Sequence, residues 1–250
     1  MTLKSVSKLR GAAGDRGLTC AGEPRPRMQG LMQSVAAVIF DLDGTLIESE
    51  VVWDQVRRRL AAQAGRAWPP GSTQAMMGMS TQEWATHLVE VVGVGRTWQE
   101  AARMTIDAMV DAYRQGLPVL PGAVESVRRM AAEAPVGIAS SSPRRLIDLA
   151  VQELGIADLL RATVSTEEVD RGKPWPDGYL RAAELIGVPA ERCVAVEDSG
   201  AGIRSAIAAG MAVVAVPPAF HPPQPQILDR CDRIIASLDD LTWDLVRGLR

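Results

Sequence analysis

The stretch VAAVIFDLDGTLIESE, Val35 to Glu50, passes from an unbroken apolar run into two aspartates, Asp41 and Asp43, separated by one leucine and followed by Gly44 and Thr45. An apolar run this short, with no polar residue alternating through it, reads as a strand covered on both faces. Two carboxylates at the end of such a strand are costly unless a cation or hydrogen bonds answer them. In open parallel sheets the carboxyl ends of the strands face the ligand crevice. The stretch therefore predicts one strand of a parallel sheet with its chemistry at that edge.

Four further runs share this character: PVGIAS (135–140), ATVS (162–165), CVAVED (193–198) and MAVVAV (211–216). Helix-period stretches lie between them, at Gly122 to Ala134, Pro143 to Leu154, Asp177 to Ile186 and Ala201 to Ala209. Gly155, Gly187 and Gly210 each follow a helix, where a left-handed cap is wanted. Apolar strands alternating with helices predict an α/β fold, a doubly wound parallel sheet with helices on both faces.

Residues 48–117 break the alternation. They hold no strand-like run but three helix patterns: one with Val52, Val56 and Leu60; one opening with a capping box from Ser80 to Glu83 and carrying Trp84, Leu88 and Val91; one opening at Thr97 to Glu100. The expected organisation is an α/β core of residues 35–47 and 118–250 with an all-helical cap, 48–117, inserted directly after the aspartates. Residues 1–34 are rich in Gly, Arg and Lys without periodicity. They read as a disordered extension, or as a start codon placed ahead of the true one, since Met28 and Met32 stand just before the first strand. A targeting role would need an amphipathic pattern that is absent from them.

Composition narrows the function. The chain has 250 residues, 47% hydrophobic and 23% charged, the balance of an ordinary globular protein. Its net charge is −3, but residues 1–34 hold six basic against two acidic residues, leaving about −7 on the rest. That balance argues against nucleic acid or an anionic membrane surface as partner, and no apolar window has the length of a membrane span. Cys20, Cys193 and Cys231 show neither a disulfide framework nor a zinc spacing, so a reduced, cytoplasmic protein is expected, with no protein partner implied. With only His87 and His221, mechanisms built on several imidazoles are excluded.

At the predicted sheet edge stand Asp41 and Asp43, Ser140 to Ser142, Glu197 and Asp198, with Lys173 in the loop after the third run. The carboxylates concentrate negative charge, and hard oxygen ligands without histidine point to Mg2+. Ser140, Ser141 and Lys173 supply hydroxyls and an ammonium suited to phosphate oxygens, and Pro143 places a helix N-terminus beside them. Metal, phosphate cradle and a spare carboxylate together mean phosphoryl transfer. An aspartate is the expected nucleophile, because no serine or cysteine has a histidine at hand as base.

In order and spacing, DLDGTL (41–46), SSS (140–142), GKPWPD (172–177) and VEDSGAGI (196–203) resemble the four motifs of the haloacid dehalogenase superfamily of phosphohydrolases. The insertion looks like the cap of the branch holding β-phosphoglucomutase and sugar-phosphate phosphatases. The resemblance covers Val35 to about Val216. It implies that Asp41 is the nucleophile and Asp43 the general acid/base and a metal ligand through its backbone carbonyl. It also implies that Ser140 and Lys173 bind phosphate, and that Asp198 is a magnesium ligand with Glu197 acting behind it or through water.

Several residues carry two readings. Ser142 is placed as the N-cap of the following helix or as a substrate contact. Trp53, Trp84 and His87 are cap core or cleft lining, and Trp84 and His87, three apart on one face, share whichever fate holds. Arg57, Arg58 and Arg59 read as a solvated helix face, and Trp175 as packing. The expected substrate is a small phosphate monoester of a sugar, polyol or hydroxy acid. A β-phosphoglucomutase-like mutase is the alternative. A mutase must hold a second phosphate on basic donors, yet residues 68–95 contain no lysine or arginine, which leaves Arg144 as the nearby cation. A dehalogenase reading fails on Asp43, for which that chemistry has no use, and a catalytically dead module would lack one of the charged groups.

Overall fold

The computed structural model describes residues 34–219 and 222–249. Residues 33–250 form one compact unit, and the expected extension lies outside the described residues apart from Ser34. The sheet has six parallel strands: β1 (Ala37–Phe40), β2 (Val136–Ser140), β3 (Leu160–Ser165), β4 (Cys193–Glu197), β5 (Ala212–Ala215) and β6 (Arg233–Ile234), in the order β3-β2-β1-β4-β5-β6. β1, β2, β4 and β5 are buried along their whole length, which is why each is apolar throughout rather than alternating. The chain leaves β1 on one side and β4 on the other, so the strand order reverses between them and a crevice opens there.

Helices α5 (Ala123–Ala131), α6 (Arg144–Glu153), α7 (Asp177–Ile186) and α8 (Gly200–Ala208) cover the sheet. α7 and α8 bury Tyr179, Ala182, Ile203 and Ala206 on one face, while α5 and α6 bury Val127, Met130, Leu146 and Ala150 on the other. The helix-following glycines 155, 187 and 210 all take positive φ, as expected. β6 was not legible as a strand: two residues long and exposed, it carries no apolar run.

Between β1 and α5 the chain is helical, through α1 (Glu50–Gln63), α2 (Ser72–Met76), α3 (Thr81–His87) and α4 (Trp98–Gln115). The capping box at Ser80 is present, with the Ser80 hydroxyl accepting from Glu83 N–H and the Glu83 carboxylate accepting from Ser80 N–H. The five-residue α2 was too short to show periodicity. α3 runs into a π-helical turn, Leu88–Val92; its wider spacing buries Val92 and leaves Val91 53% exposed, so the expected apolar face shifts by one residue. The two connections to the sheet layer run side by side. Glu48 N–H donates to Pro118 O, Leu120 N–H donates to Leu46 O, and Ile47 bridges Val119. One core cluster extends from Val38 and Phe40 through Leu42, Leu46 and Ile47 to Trp84, Leu88 and Met109. Two further short helices, α9 (Pro225–Leu228) and α10 (Trp243–Arg247), follow β5 and β6.

Candidate active site

Asp41 follows directly on β1, and its N–H still donates to Val196 O of β4, so the ladder carries it to the crevice. Glu197 ends β4 and Asp198 follows it. Lys173, from the loop after β3, reaches between them: its Nζ lies 2.5 Å from Asp41 Oδ1 and 2.6 Å from Glu197 Oε1. The residues that the sequence places at this edge from stretches 132 and 24 positions apart thus meet on one ammonium.

Glu197 is fully buried, and both of its oxygens are engaged. Oε1 accepts from Lys173 Nζ and from the Tyr179 hydroxyl at 2.9 Å; Oε2 accepts from the N–H groups of Asp198 and Ser199 and from the Ser199 hydroxyl. It orients Lys173 and the turn after β4 rather than facing the cavity. The Asp41 carboxylate has only Lys173 as a hydrogen-bond partner among the described residues. Its pKa is raised to about 7, chiefly by burial, against the attraction of Lys173 and with the repulsion of Glu197 and Asp43. Asp198 is pushed well up by burial and then by Glu197 and Asp41. Burial opposes the charge on Lys173, but the two carboxylates outweigh it and hold the ammonium above its ordinary value.

Asp41, Glu197 and Asp198 offer carboxylate oxygens within 4.8 Å of one another. The donors are all hard oxygens, and two of the three carboxylates are buried with more negative charge than Lys173 answers. That set fits a small hard divalent cation such as Mg2+. Space around it is restricted by backbone: Gly44 has φ +84°, and a Cβ there would stand 2.1 Å from Asp198 Oδ2. Thr45 Oγ1 donates to Asp198 Oδ1 at 3.4 Å.

Asp43 turns to a different set of partners. Its Oδ1 accepts from the Ser49 hydroxyl at 2.5 Å, and its Oδ2 accepts from the Ser140 hydroxyl at 3.1 Å and the Ser142 hydroxyl at 2.7 Å. Ser142 is therefore not the N-cap of α6; Pro143 occupies that position, and the Ser142 N–H donates to Ser140 Oγ. Ser141 lines the cavity beside it. Among the N–H groups opening α6, that of Arg144 donates to Glu167, so the helix end is less free than the proline suggested. Ser49, fully buried at the start of the helical insertion, was missed by sequence reasoning, although it lies in the quoted opening stretch.

The cavity is about 220 Å3 in volume and extends from Asp41, Asp43, Lys173 and Asp198 to the α1 and α3 side chains Trp53, Arg57 and Trp84. Four expectations need correcting. Arg57 is not on a solvated face: it is 8% exposed, its guanidinium 4.7 Å from the Trp53 ring and 5.1 Å from the Trp84 ring. Arg144 is not the cation near the site; Glu168, Asp148 and Thr163 hold it on the flank of α6, away from the cavity. His87 does not share the fate of Trp84. It pairs with Ser72 Oγ at 3.1 Å and lines an outer groove that adjoins the cavity at Ser141 and Lys173, together with Trp175, which is 53% exposed under Arg171 rather than packed.

No helix among the described residues is long and apolar enough to cross a membrane. The haloacid dehalogenase-like hydrolase family model matches residues 35–210. Hexitol phosphatase B of Escherichia coli (strain K12) is 30% identical over 84% of this chain and 96% of its own. The bifunctional riboflavin kinase/FMN phosphatase of Arabidopsis thaliana is 30% identical over 82% of this chain, which spans about half (54%) of that protein's length. Among solved structures, the β-phosphoglucomutase of Clostridium difficile superposes with a TM-score of 0.70 at 22% identity, covering 85% of this chain and 95% of that one. The strand order, the acidic edge between β1 and β4 and the matched span agree: the chain belongs to the haloacid dehalogenase-like hydrolases.

Proposed function

We propose that this hydrolase is a magnesium-dependent phosphatase of a small phosphorylated metabolite, a sugar, polyol or hydroxy-acid monophosphate, acting through an aspartyl phosphate. The observation that carries the reading is the meeting of Asp41, Lys173, Glu197 and Asp198 at the sheet edge with Asp43 alongside. Hydrolase relatives named as phosphatases, among them a hexitol phosphatase, support it. In this reading residues 48–117 are the cap over a core of 35–47 and 118–250.

In the first step an Asp41 oxygen attacks phosphorus, the bond from phosphorus to the ester oxygen breaks, and Asp43 gives that oxygen a proton. In the second, Asp43 takes a proton from water as the water oxygen attacks phosphorus, freeing inorganic phosphate and the Asp41 carboxylate. Lys173 and Ser140, with Ser141, hold phosphate oxygens, and Ser140 exchanges its bond to Asp43 for one to phosphate. Asp41, Asp198 and the Asp43 backbone carbonyl would hold Mg2+, which when bound neutralises charge on the transferring group. Glu197 keeps Lys173 in place. Burial is the main cause of the raised Asp41 pKa, and Lys173 offsets it only in part.

The mutase alternative keeps one supporting observation, Arg57 in the cavity. A single guanidinium with Asp54 and Glu50 as its neighbouring carboxylates is a poor match to a second phosphate dianion. Purified protein should release inorganic phosphate from a panel of sugar, polyol and glycolate monophosphates with magnesium, without a bisphosphate activator. Interconversion of hexose 1- and 6-phosphates faster than phosphate release would put the mutase in its place.

A further inference from the structure

Arg57 is the least explained charged group of the molecule. It lies in the middle of α1, 8% exposed, and its Nε is buried with no hydrogen-bond partner. No ion pair or hydrogen bond engages its guanidinium among the described residues; the neighbouring Arg58, not Arg57, takes the Asp54 carboxylate, at 2.6 Å. Thr73 donates to the other Asp54 oxygen. The indoles of Trp53 and Trp84, tilted against each other with ring centres 5.6 Å apart, lie 4.7 and 5.1 Å from the Arg57 guanidinium carbon. Such stacking fixes a guanidinium but uses none of its N–H donors. A buried donor left without a partner is destabilising, and the Arg57 side chain lines the cavity that ends at Asp41 and Lys173. A molecule in the cavity would therefore meet a guanidinium that no hydrogen bond or ion pair among the described residues engages.

The charge around it decides which acceptor suits it. Burial draws the Arg57 pKa down to about 10, while Asp54 and then Glu50 act against that fall, so its charge already has carboxylate company. The cavity wall as a whole is strongly acidic, with Lys173 the other cation among its described residues. A carboxylate or second phosphate on the substrate would meet repulsion from Asp54 and Glu50. A hydroxyl would not: it accepts from Arg57, donates to the remaining lone pairs of Asp54, and adds no charge. The indole edges and Met76 offer the apolar surface that C–H groups of such a molecule need.

We infer that Arg57 is a specificity-determining residue that reads hydroxyl oxygens on the leaving group, so that the substrate is the monophosphate of a neutral polyol or sugar and not of a hydroxy acid. This rests on the phosphatase reading and narrows it. The test compares the wild type, Arg57→Gln and Arg57→Lys with magnesium on three esters: sorbitol 6-phosphate, 2-phosphoglycolate and p-nitrophenyl phosphate, which carries no hydroxyl for Arg57 to read. The wild type should prefer sorbitol 6-phosphate over 2-phosphoglycolate in kcat/KM. Arg57→Gln should lose about ten- to a hundredfold on sorbitol 6-phosphate, the range for one hydrogen bond from a charged donor, and change less than about threefold on p-nitrophenyl phosphate. Arg57→Lys, which keeps charge and stem, should recover part of the loss; it also serves if Arg57→Gln does not fold. A preference for 2-phosphoglycolate, or equal losses on all three esters, overturns the inference while leaving the phosphatase reading intact. Absence of phosphate release from every ester by the wild type overturns both.

Discussion

A Cβ at position 202 would stand 1.6 Å from Oε1 of Glu197, the oxygen that accepts from Lys173 and Tyr179. No rotamer change at a fully buried glutamate relieves so close an approach, so Gly202→Ala must displace the carboxylate or the start of α8. Overpacking of this kind costs about 1–3 kcal/mol, but the larger effect should fall on Lys173, which loses its second anchor. We expect kcat to fall by about a hundredfold or more with a modest drop in Tm. Wild-type kcat in Gly202→Ala would show that Glu197 does not position Lys173.

Asp41→Asn keeps volume and removes the nucleophile. Turnover should disappear while circular dichroism is unchanged. Residual activity within a factor of about ten of wild type would take Asp41 out of that role, since loss of a covalent nucleophile costs far more.

The same substitution reports on pH. In the fold, Asp41 has a pKa of about 7, above the ordinary 3.8 of the unfolded chain. Between those values the native state binds more protons, so the contribution of Asp41 is complete below about pH 4 and is lost as pH rises through 7. In chelator, Tm of the wild type relative to Asp41→Asn should therefore fall from pH 4 to pH 7.5. Carboxylates held below their ordinary values, such as Glu168 by Arg144 and the Ser165 N–H against the opposing effect of burial, affect both proteins alike and cancel. A flat difference would mean that Asp41 is not desolvated.

Activity should vanish in chelator and return with magnesium, whereas calcium should inhibit because its larger, looser shell misplaces nucleophile and phosphorus. Full turnover in chelator would remove Asp41, Asp43 and Asp198 from metal binding.

Much of this arrangement could be read along the chain because parallel strands buried on both faces must be continuously apolar, and because their carboxyl ends gather at one edge whatever their distance in sequence. Asp41, Lys173 and Glu197 could be placed together on that ground. The misread residues depend on tertiary neighbours. Arg57 looks like its exposed neighbours Arg58 and Arg59 until two tryptophans from different helices close on it. Arg144 is one residue past the helix-opening proline, yet Glu168 from beyond β3 draws it off. Ser49 and Tyr179 carry no periodic or charge signal, and only the carboxylates they donate to give them meaning.

The shared core of Leu42, Leu46 and Ile47 beneath the helices α1 to α4 has a bearing on how the chain melts. These residues are almost wholly buried and belong to one core cluster that also holds side chains of the sheet and of the helical layer, so neither layer can be stripped away without exposing that core. Differential scanning calorimetry should accordingly record one endotherm for residues 33–250, with calorimetric and van't Hoff enthalpies in agreement. A peptide of residues 48–117 taken alone should give the far-ultraviolet spectrum of a largely unfolded chain.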